Sequence, residues 1–393
     1  MASSDLTHPR ALFLAGRDGL HPGAAGGDHQ AWQWAKHLAS SGWTVEYVAQ
    51  SVPGRPQTEA CAGISVLRLG TGPALAWRAA MHYRRNARTI DLVYEDPIGA
   101  GRIPYLAPLY SRAPVIAVWH QVSGDLLRSL HPGPVAAAMS LAERAIALCY
   151  RRALLWAPSA ERAAEITHEL RIPRSRIVVV PPTLADGIDV AAQPSPAARH
   201  VLCMGLMRPY KNFEHVIEAM VKVRAEVPSA ILVIAGRRSG AAYEDSLRQA
   251  VESSGLRSAV QFRFDISDGD RQDLMRQAAT LVLPSLLEGF GIVSIEANAE
   301  GTPVVASSGV PVAAVEDAVN GLRYPFGDIG ALAGCLVRLL KDDDLRHRLG
   351  VGAIAHAHAL TVDAVAPQFD ALVERAMHEG GRSARRRVRE ARR

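Results

Sequence analysis

The sequence has few cysteines and no long apolar run. Its four cysteines are scattered along 393 residues with no C-x-x-C pair, which argues against both a disulfide framework and a zinc ribbon. No stretch of about eighteen apolar residues occurs, so no membrane-spanning helix is expected. The first residues also lack the basic-then-apolar pattern of a signal peptide. We therefore expect a cytoplasmic protein.

The net charge of +5 is concentrated at one end of the chain. Residues 382–393 hold seven arginines and one glutamate, which is more positive charge than the net charge of the whole chain. Residues 1–195 are mildly basic, whereas residues 196–381 are acidic. A basic body that binds nucleic acid is therefore not expected. We expect the Arg-rich tail to be disordered, with weak attraction to an anionic membrane surface as the alternative.

Short apolar runs alternate with helical patterns along the chain. Runs such as Ala11–Ala15 and Val201–Gly205 are typical of strands in a parallel sheet that is buried on both faces. The pattern stops at the proline-rich residues 181–200 and then restarts. We predict an α/β protein with two doubly wound Rossmann-like domains, whose ligand lies in the cleft between them at the carboxyl ends of the strands. The predicted boundaries are residues 1–188 for the first domain, 189–199 for a linker, 200–360 for the second domain and 361–381 for a last helix that returns to the first domain.

The strongest local signal runs from Pro284 to Ala297, where a strand ends, a glycine-containing loop follows and a helix begins near Ile292. The free N–H groups at a helix N-terminus form an anion site. Glu288 lies in the loop and Glu296 on the helix, so two carboxylates flank one phosphate-sized hole. This arrangement suits recognition of hydroxyls on a sugar and on a ribose. The alternative is that Glu288 caps the loop and Glu296 is a solvated helix residue.

A second signal, Gly205–Asn212, follows the first strand of the second domain and contains two cations, Arg208 and Lys211. A loop at this place can hold a diphosphate, because arginine offers a fork of donors and lysine a point charge. The alternative is an exposed basic turn in which Asn212 caps the next helix.

Two weaker signals lie in the first domain. In the segment Gly23–His29, Gly26 and Gly27 let the backbone approach a ligand closely. The segment is not a G-x-G-x-x-G fingerprint, which disfavours a nicotinamide dehydrogenase. His120 follows a buried strand and by topology faces the cleft. The alternatives are a flexible loop for the glycines and a structural role for the histidine.

Two further patterns have a favoured structural interpretation. Asp268 and Asp270 resemble a metal-binding D-x-D, but they precede a predicted helix and an N-cap role is favoured. All six tryptophans lie in the first domain, and core packing is favoured for most of them. No serine lies in a G-x-S-x-G elbow, so Ser-His-Asp chemistry is not indicated.

Taken in order, these motifs resemble those of the retaining glycosyltransferases of family 4, which have the GT-B fold. The segment Glu288–Glu296 resembles the E-x7-E signature of that family, and Gly205–Asn212 resembles its diphosphate loop. Other segments resemble the family in the same order, namely Ala157–Ala160, Val180–Asp189, Ile231–Gly236, Gly301–Ala306 and Asn320–Gly321. The resemblance extends from Leu12 to about Phe369 and is closer in the second half.

The resemblance implies a role for each site residue. Arg208 and Lys211 would neutralise the leaving diphosphate, and Glu288 would hold hydroxyls of the transferred sugar. Glu296 would bind the ribose hydroxyls, and His120 would contact the transferred sugar. The remaining donor-binding positions would be Gly26, Gly27, Phe290, Gly291, Ile292 and Val293.

The implied activity is transfer of a sugar from a nucleotide-diphosphate sugar, with a UDP- or GDP-sugar favoured, to a small-molecule, glycan or lipid-linked acceptor. No cofactor and no bound metal are expected, because side-chain cations and a helix dipole can stabilise the diphosphate. Many members carry arginine after the glycine that corresponds to Gly205, whereas this chain has Leu206, so Arg208 takes that role. The alternatives are a sugar-nucleotide epimerase or phosphorylase of the same fold and a non-catalytic sugar-nucleotide-binding partner of another transferase.

Overall fold

The computed structural model describes residues 8–24, 26–97, 104–195 and 200–391, apart from the side chains of Asp125, Ser129 and residues 381–391. The chain groups into two compact units. The first unit takes the residues up to Val122, residues 140–181 and the residues from Val365 onward, and the second takes residues 123–139 and 182–364. The longer stretch of the second unit runs from Pro182 to Ala364, and the residues from Val365 onward belong to the first unit.

The first unit is built on an eight-stranded sheet. Its strands are Arg10–Leu14 (β1), Thr44–Ala49 (β2), Thr58–Cys61 (β3), Ile64–Arg68 (β4), Leu92–Glu95 (β5), Val115–Val118 (β6), Leu154–Ala157 (β7) and Ile177–Val179 (β8). Their order is β3-β4-β2-β1-β5-β6-β7-β8, and every neighbouring pair is parallel except β3 and β4. The apolar residues of β1 are fully buried, as expected for a central strand that is covered on both faces.

The hairpin of β3 and β4 was not predicted from the sequence. The two strands join through a two-residue turn in which Ala62 and Gly63 both have positive φ, 51° and 76°. Such a turn matches the twist of a hairpin. The signal was weak because β3 has only four residues, none of them buried, at the edge of the sheet.

The helices of the first half of the chain are Gly26–Ser40 (α1), Gly72–Asn86 (α2), Gly124–Leu130 (α3), Gly133–Tyr150 (α4) and Ala160–Leu170 (α5). The last helix of the chain, Val362–Ala391 (α12), packs on α1. The rings of Trp34 and Phe369 stack at a centroid distance of 4.2 Å, and Trp156 meets both rings edge-on. His37 Nε2 lies 2.8 Å from Asp370 Oδ1. The core of the first unit is therefore completed by the C-terminal helix.

One carboxyl group is buried inside the first unit. Glu95, at the end of β5, is fully buried and accepts hydrogen bonds from the N–H groups of Leu106 and Ala107, both at 3.0 Å. The Tyr150 hydroxyl donates to it at 2.5 Å. Burial raises the pKa of Glu95 to about 7, against the opposing effect of these hydrogen bonds. This carboxyl group therefore links β5 to the segment that follows residue 103 and to α4.

The second unit is built on a six-stranded sheet in which all neighbours are parallel. Its strands are His200–Leu206 (β9), Leu232–Arg237 (β10), Val260–Phe264 (β11), Ala278–Leu283 (β12), Val304–Ser307 (β13) and Gly321–Tyr324 (β14), in the order β11-β10-β9-β12-β13-β14. Its helices are Phe213–Glu226 (α6), Ala241–Ser253 (α7), Asp268–Arg276 (α8), Ile292–Ala299 (α9), Ile329–Lys341 (α10) and Asp343–Ala359 (α11). Both sheets confirm the predicted α/β class.

The C-terminal helix is longer than the sequence analysis predicted. We predicted a disordered tail at residues 382–393, but the backbone is helical as far as Ala391. Arginine, alanine and glutamate are strong helix formers, and they make up most of this segment. Within the described residues no single helix is long and apolar enough to cross a membrane; α11 and α12 reach the required length and composition only as a bent pair.

Candidate functional site

Two loops meet at the carboxyl edge of the second sheet. Strands β9 and β12 are parallel neighbours, so the residues after Leu206 and after Leu283 leave the sheet side by side. The backbone joins the two loops, because the Leu286 N–H donates to the Tyr210 carbonyl at 3.1 Å. The two strongest sequence signals therefore form one local structure.

A buried ion pair lies where the loops meet. The Lys211 ammonium donates to Glu288 Oε1, and only 12% and 11% of the two side chains are exposed. Ser285 Oγ donates to the same oxygen at 2.7 Å. Burial lowers the pKa of Lys211, but the charges of Glu288 and Tyr210 and the Glu288 hydrogen bond outweigh burial, so the pKa is raised above its ordinary value. The lysine is therefore a fixed cation, held against one of the two predicted carboxylates.

The second predicted cation, Arg208, begins the short 3-10 turn Pro209–Lys211, and its side chain is exposed. Lys211 Nζ lies 5.3 Å from the centroid of the Tyr210 ring. Burial raises the pKa of Tyr210, and the charges of both Lys211 and Arg208 oppose that rise. Both cations therefore lie close enough to the half-buried Tyr210 for their charges to act on its hydroxyl.

Helix α9 begins directly after the loop that carries Glu288. Gly291, at its N-cap, has φ of +95°, a conformation that favours glycine. The first N–H groups of a helix lie at its positive dipole end and have no acceptor one turn earlier. Here the third of them, that of Ser294, donates to the Gly291 carbonyl at 2.7 Å. The predicted donor-binding positions Phe290, Gly291, Ile292 and Val293 all lie around this helix start.

Glu296 lies in the fifth position of α9 and is buried, so the alternative of a solvated helix residue is wrong. Its Oε2 accepts a hydrogen bond from Arg271 Nη1 of the neighbouring helix α8. Burial raises the pKa of Glu296, and the Arg271 charge and hydrogen bond only partly offset this effect. The sequence analysis missed Arg271, because a single arginine on an amphipathic helix gives no local signal.

In the first unit the structure brings Gly27 and His120 together. Gly26 and Gly27 are the first residues of α1, and a Cβ added at Gly27 would lie only 2.9 Å from His120 Nε2. Asp96 Oδ2 lies 3.6 Å from the same nitrogen, and the Asp96 side chain is buried. The sequence analysis missed Asp96. The available signal was its position directly after β5, since β5 is the parallel neighbour of β6, the strand that precedes His120. A carboxylate therefore stands beside the histidine that was predicted to contact the sugar.

Two predicted helix caps need correction. Asn212 takes the N-cap position of α6 with φ of 51°, but its amide donates to the Tyr210 carbonyl at 2.8 Å and does not cap the helix. At α8 the cap is Ser267, whose Oγ accepts from the Asp270 N–H at 3.1 Å. Asp268 and Asp270 lie in the first helical turn, where they favour the helix dipole. Across the described part of the chain no group of three potential ligands could hold a metal ion.

The tryptophans are mostly core residues, as the sequence analysis favoured. Trp32, Trp34, Trp119 and Trp156 are buried, and Trp43 is partly buried. Trp77 on α2 is different, because 67% of it is exposed. Core packing therefore explains four of the six side chains fully.

The fold has close counterparts among solved structures. Sucrose-phosphate synthase from Thermosynechococcus elongatus superposes with a TM-score of 0.75 at 21% identity, covering 95% of this chain and all of that one. The Anabaena protein HepE in complex with UDP-glucose gives a TM-score of 0.72 at 18% identity over 93% of this chain and all of that chain. WaaG, a glycosyltransferase involved in lipopolysaccharide biosynthesis, gives 0.70 at 17% identity over 92% of this chain and 98% of that chain. These are GT-B glycosyltransferases, and this chain has their fold.

Family models match both halves of the chain. Residues 25–186 match Glycosyltransferase Family 4, and residues 192–356 match Glycosyl transferases group 1. The D-inositol 3-phosphate glycosyltransferase of Streptomyces scabiei is 28% identical over 88% of this chain and 85% of its own length. Its counterpart in Corynebacterium glutamicum is 28% identical over 74% and 73%. The protein is a glycosyltransferase and belongs to family 4, which confirms the resemblance found in the sequence.

Proposed function

We propose that the protein transfers a sugar from a nucleotide-diphosphate sugar to an acceptor hydroxyl with retention of the anomeric configuration and without a metal ion. The observation that carries this proposal is the Lys211–Glu288 ion pair, next to the N-terminus of α9. One cation, one carboxylate and the N-terminus of a helix share one edge of the second sheet.

The leaving diphosphate is stabilised by fixed positive charge. Lys211 is preorganised by its pairing with Glu288, and Arg208 is exposed and adds a forked donor from the same turn. The N–H groups at the start of α9 add the positive end of a helix dipole. Charge that is already in place needs no reorganisation as the sugar–phosphate bond breaks, so these groups can replace a metal ion.

Glu288 holds hydroxyls of the transferred sugar. Its Oε1 is occupied by Lys211 and Ser285, which fix the direction of the carboxylate. In the transfer the bond from the anomeric carbon to the diphosphate breaks and a bond to the acceptor oxygen forms on the same face. The acceptor proton passes to an oxygen of the departing phosphate. Glu288 therefore orients the sugar and takes no part in a covalent intermediate.

Further donor contacts are proposed for Glu296 and for the first unit. A buried carboxylate such as Glu296 accepts hydrogen bonds from the ribose hydroxyls. In the first unit, Gly26 and Gly27 allow close approach of a phosphate, and His120 contacts the sugar with Asp96 beside its ring.

The preferred donor is a UDP- or GDP-sugar. The structure of HepE with UDP-glucose favours UDP as the first nucleotide to assay, and the D-inositol 3-phosphate glycosyltransferases suggest a phosphorylated polyol as the first acceptor among the small-molecule, glycan and lipid-linked classes. All four cysteines are free thiols, in keeping with a reducing cytoplasm. We propose no nucleic-acid partner, and the Arg-rich tail adds at most a weak attraction to anionic membranes.

The test uses the full chain with UDP-glucose or GDP-mannose and D-inositol 3-phosphate, in the presence of EDTA. Release of nucleoside diphosphate measures turnover, and proton NMR of the product gives the anomeric configuration. Glu288→Gln should lower turnover by at least about a hundredfold, the order seen when one group that stabilises a transition state is removed. Glu300→Gln is the matched control, because Glu300 is also buried and pairs with an arginine, Arg276, at 2.9 Å outside the proposed site.

Each part of the proposal can fail separately. No release of nucleoside diphosphate from any nucleotide sugar would contradict catalysis and favour a non-catalytic binding partner. An inverted product would contradict retention, and loss of turnover in EDTA would contradict metal independence. Equal losses in Glu288→Gln and Glu300→Gln would show that Glu288 acts only on the fold.

A further inference from the structure

Two arginine–glutamate pairs join the helices α8 and α9. Arg271 Nη1 donates to Glu296 Oε2, and Arg276 Nε donates to Glu300 Oε2 at 2.9 Å. The pairs have similar chemistry, because each sets an arginine of α8 against a buried glutamate of the α9 side. Only Glu296 belongs to the proposed donor site. The pair of Arg276 and Glu300 therefore serves as a reference for an arginine–glutamate contact between α8 and the α9 side that binds no ligand.

The environment of Glu296 opposes its negative charge. Burial raises the pKa of Glu296, Asp268 on α8 raises it further by repulsion, and Arg271 lowers it. Besides α8, the elements that pack most closely against α9 are β12, β13 and α11, and among the described residues no charged group from them acts on this carboxyl. Arg271 is therefore the one group here that favours the ionised form.

The protonation state decides what Glu296 can bind. An ionised carboxylate only accepts hydrogen bonds, whereas a protonated carboxyl uses one oxygen as a donor. A ribose offers two vicinal hydroxyls that both can donate, and its 2′-deoxy counterpart offers one fewer. Hydrogen bonds to a charged acceptor are stronger than those between neutral groups.

We infer that Arg271 is a positioning residue that makes the site selective for ribonucleotides: it holds Glu296 Oε2 and keeps the carboxylate ionised, so that the remaining acceptor capacity meets the ribose hydroxyls. This inference rests on the proposed function, since it takes Glu296 to be the ribose ligand. Arg271 itself acts through Glu296, and 27% of its side chain is exposed.

The experiment compares the binding of UDP and 2′-deoxy-UDP to the full chain by titration calorimetry at pH 6 and pH 8. Wild type should prefer UDP by about tenfold, the discrimination expected for one hydrogen bond to a charged group. In Arg271→Gln this preference should fall to about twofold at pH 6 and recover in part at pH 8, because Glu296 takes up a proton more readily without the arginine. Arg271→Lys keeps the charge and should retain most of the preference.

Arg276→Gln is the matched control for the loss of an α8–α9 pair. It should keep the wild-type preference at both pH values, while thermal unfolding shows whether the two glutamine variants lose similar stability. An unchanged preference in Arg271→Gln, or an equal loss in Arg276→Gln, would overturn the inference. Binding of UDP by wild type without any preference over 2′-deoxy-UDP would also overturn it, yet leave the donor site intact. If wild type binds neither UDP nor GDP, the proposed function itself fails.

Discussion

Lys211→Met tests the ion pair on which the proposed site is built. Methionine keeps much of the apolar volume of lysine but removes the charge, which leaves Glu288 buried without its cation. At a separation of about 3 Å and an effective dielectric constant near 20, the attraction between the two charges is about 5 kcal/mol. Desolvation of the two ions offsets much of this, but removal of one partner of a buried pair typically costs about 3–5 kcal/mol. We expect a loss of about 3 kcal/mol, at the low end because Ser285 still donates to the carboxylate.

The measurement must report on the second unit. All six tryptophans lie in the first unit, so tryptophan fluorescence does not report on the stability of the second unit. Amide hydrogen exchange of peptides from β9 and β12 follows the unit that holds the ion pair. The variants are Lys211→Met, Glu288→Gln and the combination of both, which form a double-mutant cycle.

The cycle has a clear expected result. The loss of free energy of unfolding in the double variant should be about 2 kcal/mol smaller than the sum of the losses in the two single variants. The reason is that the double variant leaves no unpaired buried charge. Strict additivity would refute the reasoning, since it would mean that the two side chains do not interact in the folded protein. All three variants should lose sugar transfer, whatever their stability.

Three further predictions concern the first unit and the tail. Gly27→Ala should lower kcat/KM for sugar transfer by about tenfold or more with little change in Tm, because its Cβ displaces the His120 ring; unchanged kinetics would place His120 outside the reaction. Glu95→Gln should make the stability of the first unit less dependent on pH. The folded-state pKa of Glu95, about 7, lies above its unfolded value, so the free energy of unfolding of the wild type should fall by about 2 kcal/mol as the pH rises from 5 to 7.5. Tryptophan fluorescence follows the unfolding of the first unit, and an equal pH dependence in the variant would contradict the prediction. Deletion of residues 382–393 should leave turnover with a soluble donor unchanged in a nucleoside diphosphate release assay, and a large loss would show that the tail serves the reaction.

The sequence predicts those parts of the site that depend on strand ends. Lys211 and Glu288 follow β9 and β12, and parallel neighbours necessarily bring their following loops together. The start of α9 could be predicted for the same reason, because glycines and an apolar helical pattern follow a buried strand. The α/β class and the proximity of Lys211 and Glu288 therefore follow from local patterns combined with one rule of topology.

The sequence does not predict contacts that depend on side-chain packing between elements. Arg271 meets Glu296 only because α8 packs on α9, and the burial that raises the pKa of Glu296 is a tertiary property. Asp96 lies close to His120 only because the strands that they follow, β5 and β6, are neighbours in the sheet. The hairpin of β3 and β4 was missed for another reason, since four partly exposed residues carry too little pattern to indicate a strand.

The stack of Trp34 on Phe369 has a consequence for the order of events during synthesis. The first unit contains both β1 and α12, so its core lacks Phe369 until residue 369 has left the ribosome. The second unit has all its strands and helices available earlier, although it lies later in the sequence. Its sheet can therefore form first, and the core of the first unit is completed later, when α12 packs on Trp34. A chain that stops before Val362 should keep an intact second unit but expose Trp34, and α12 supplied as a separate peptide should cover that tryptophan again.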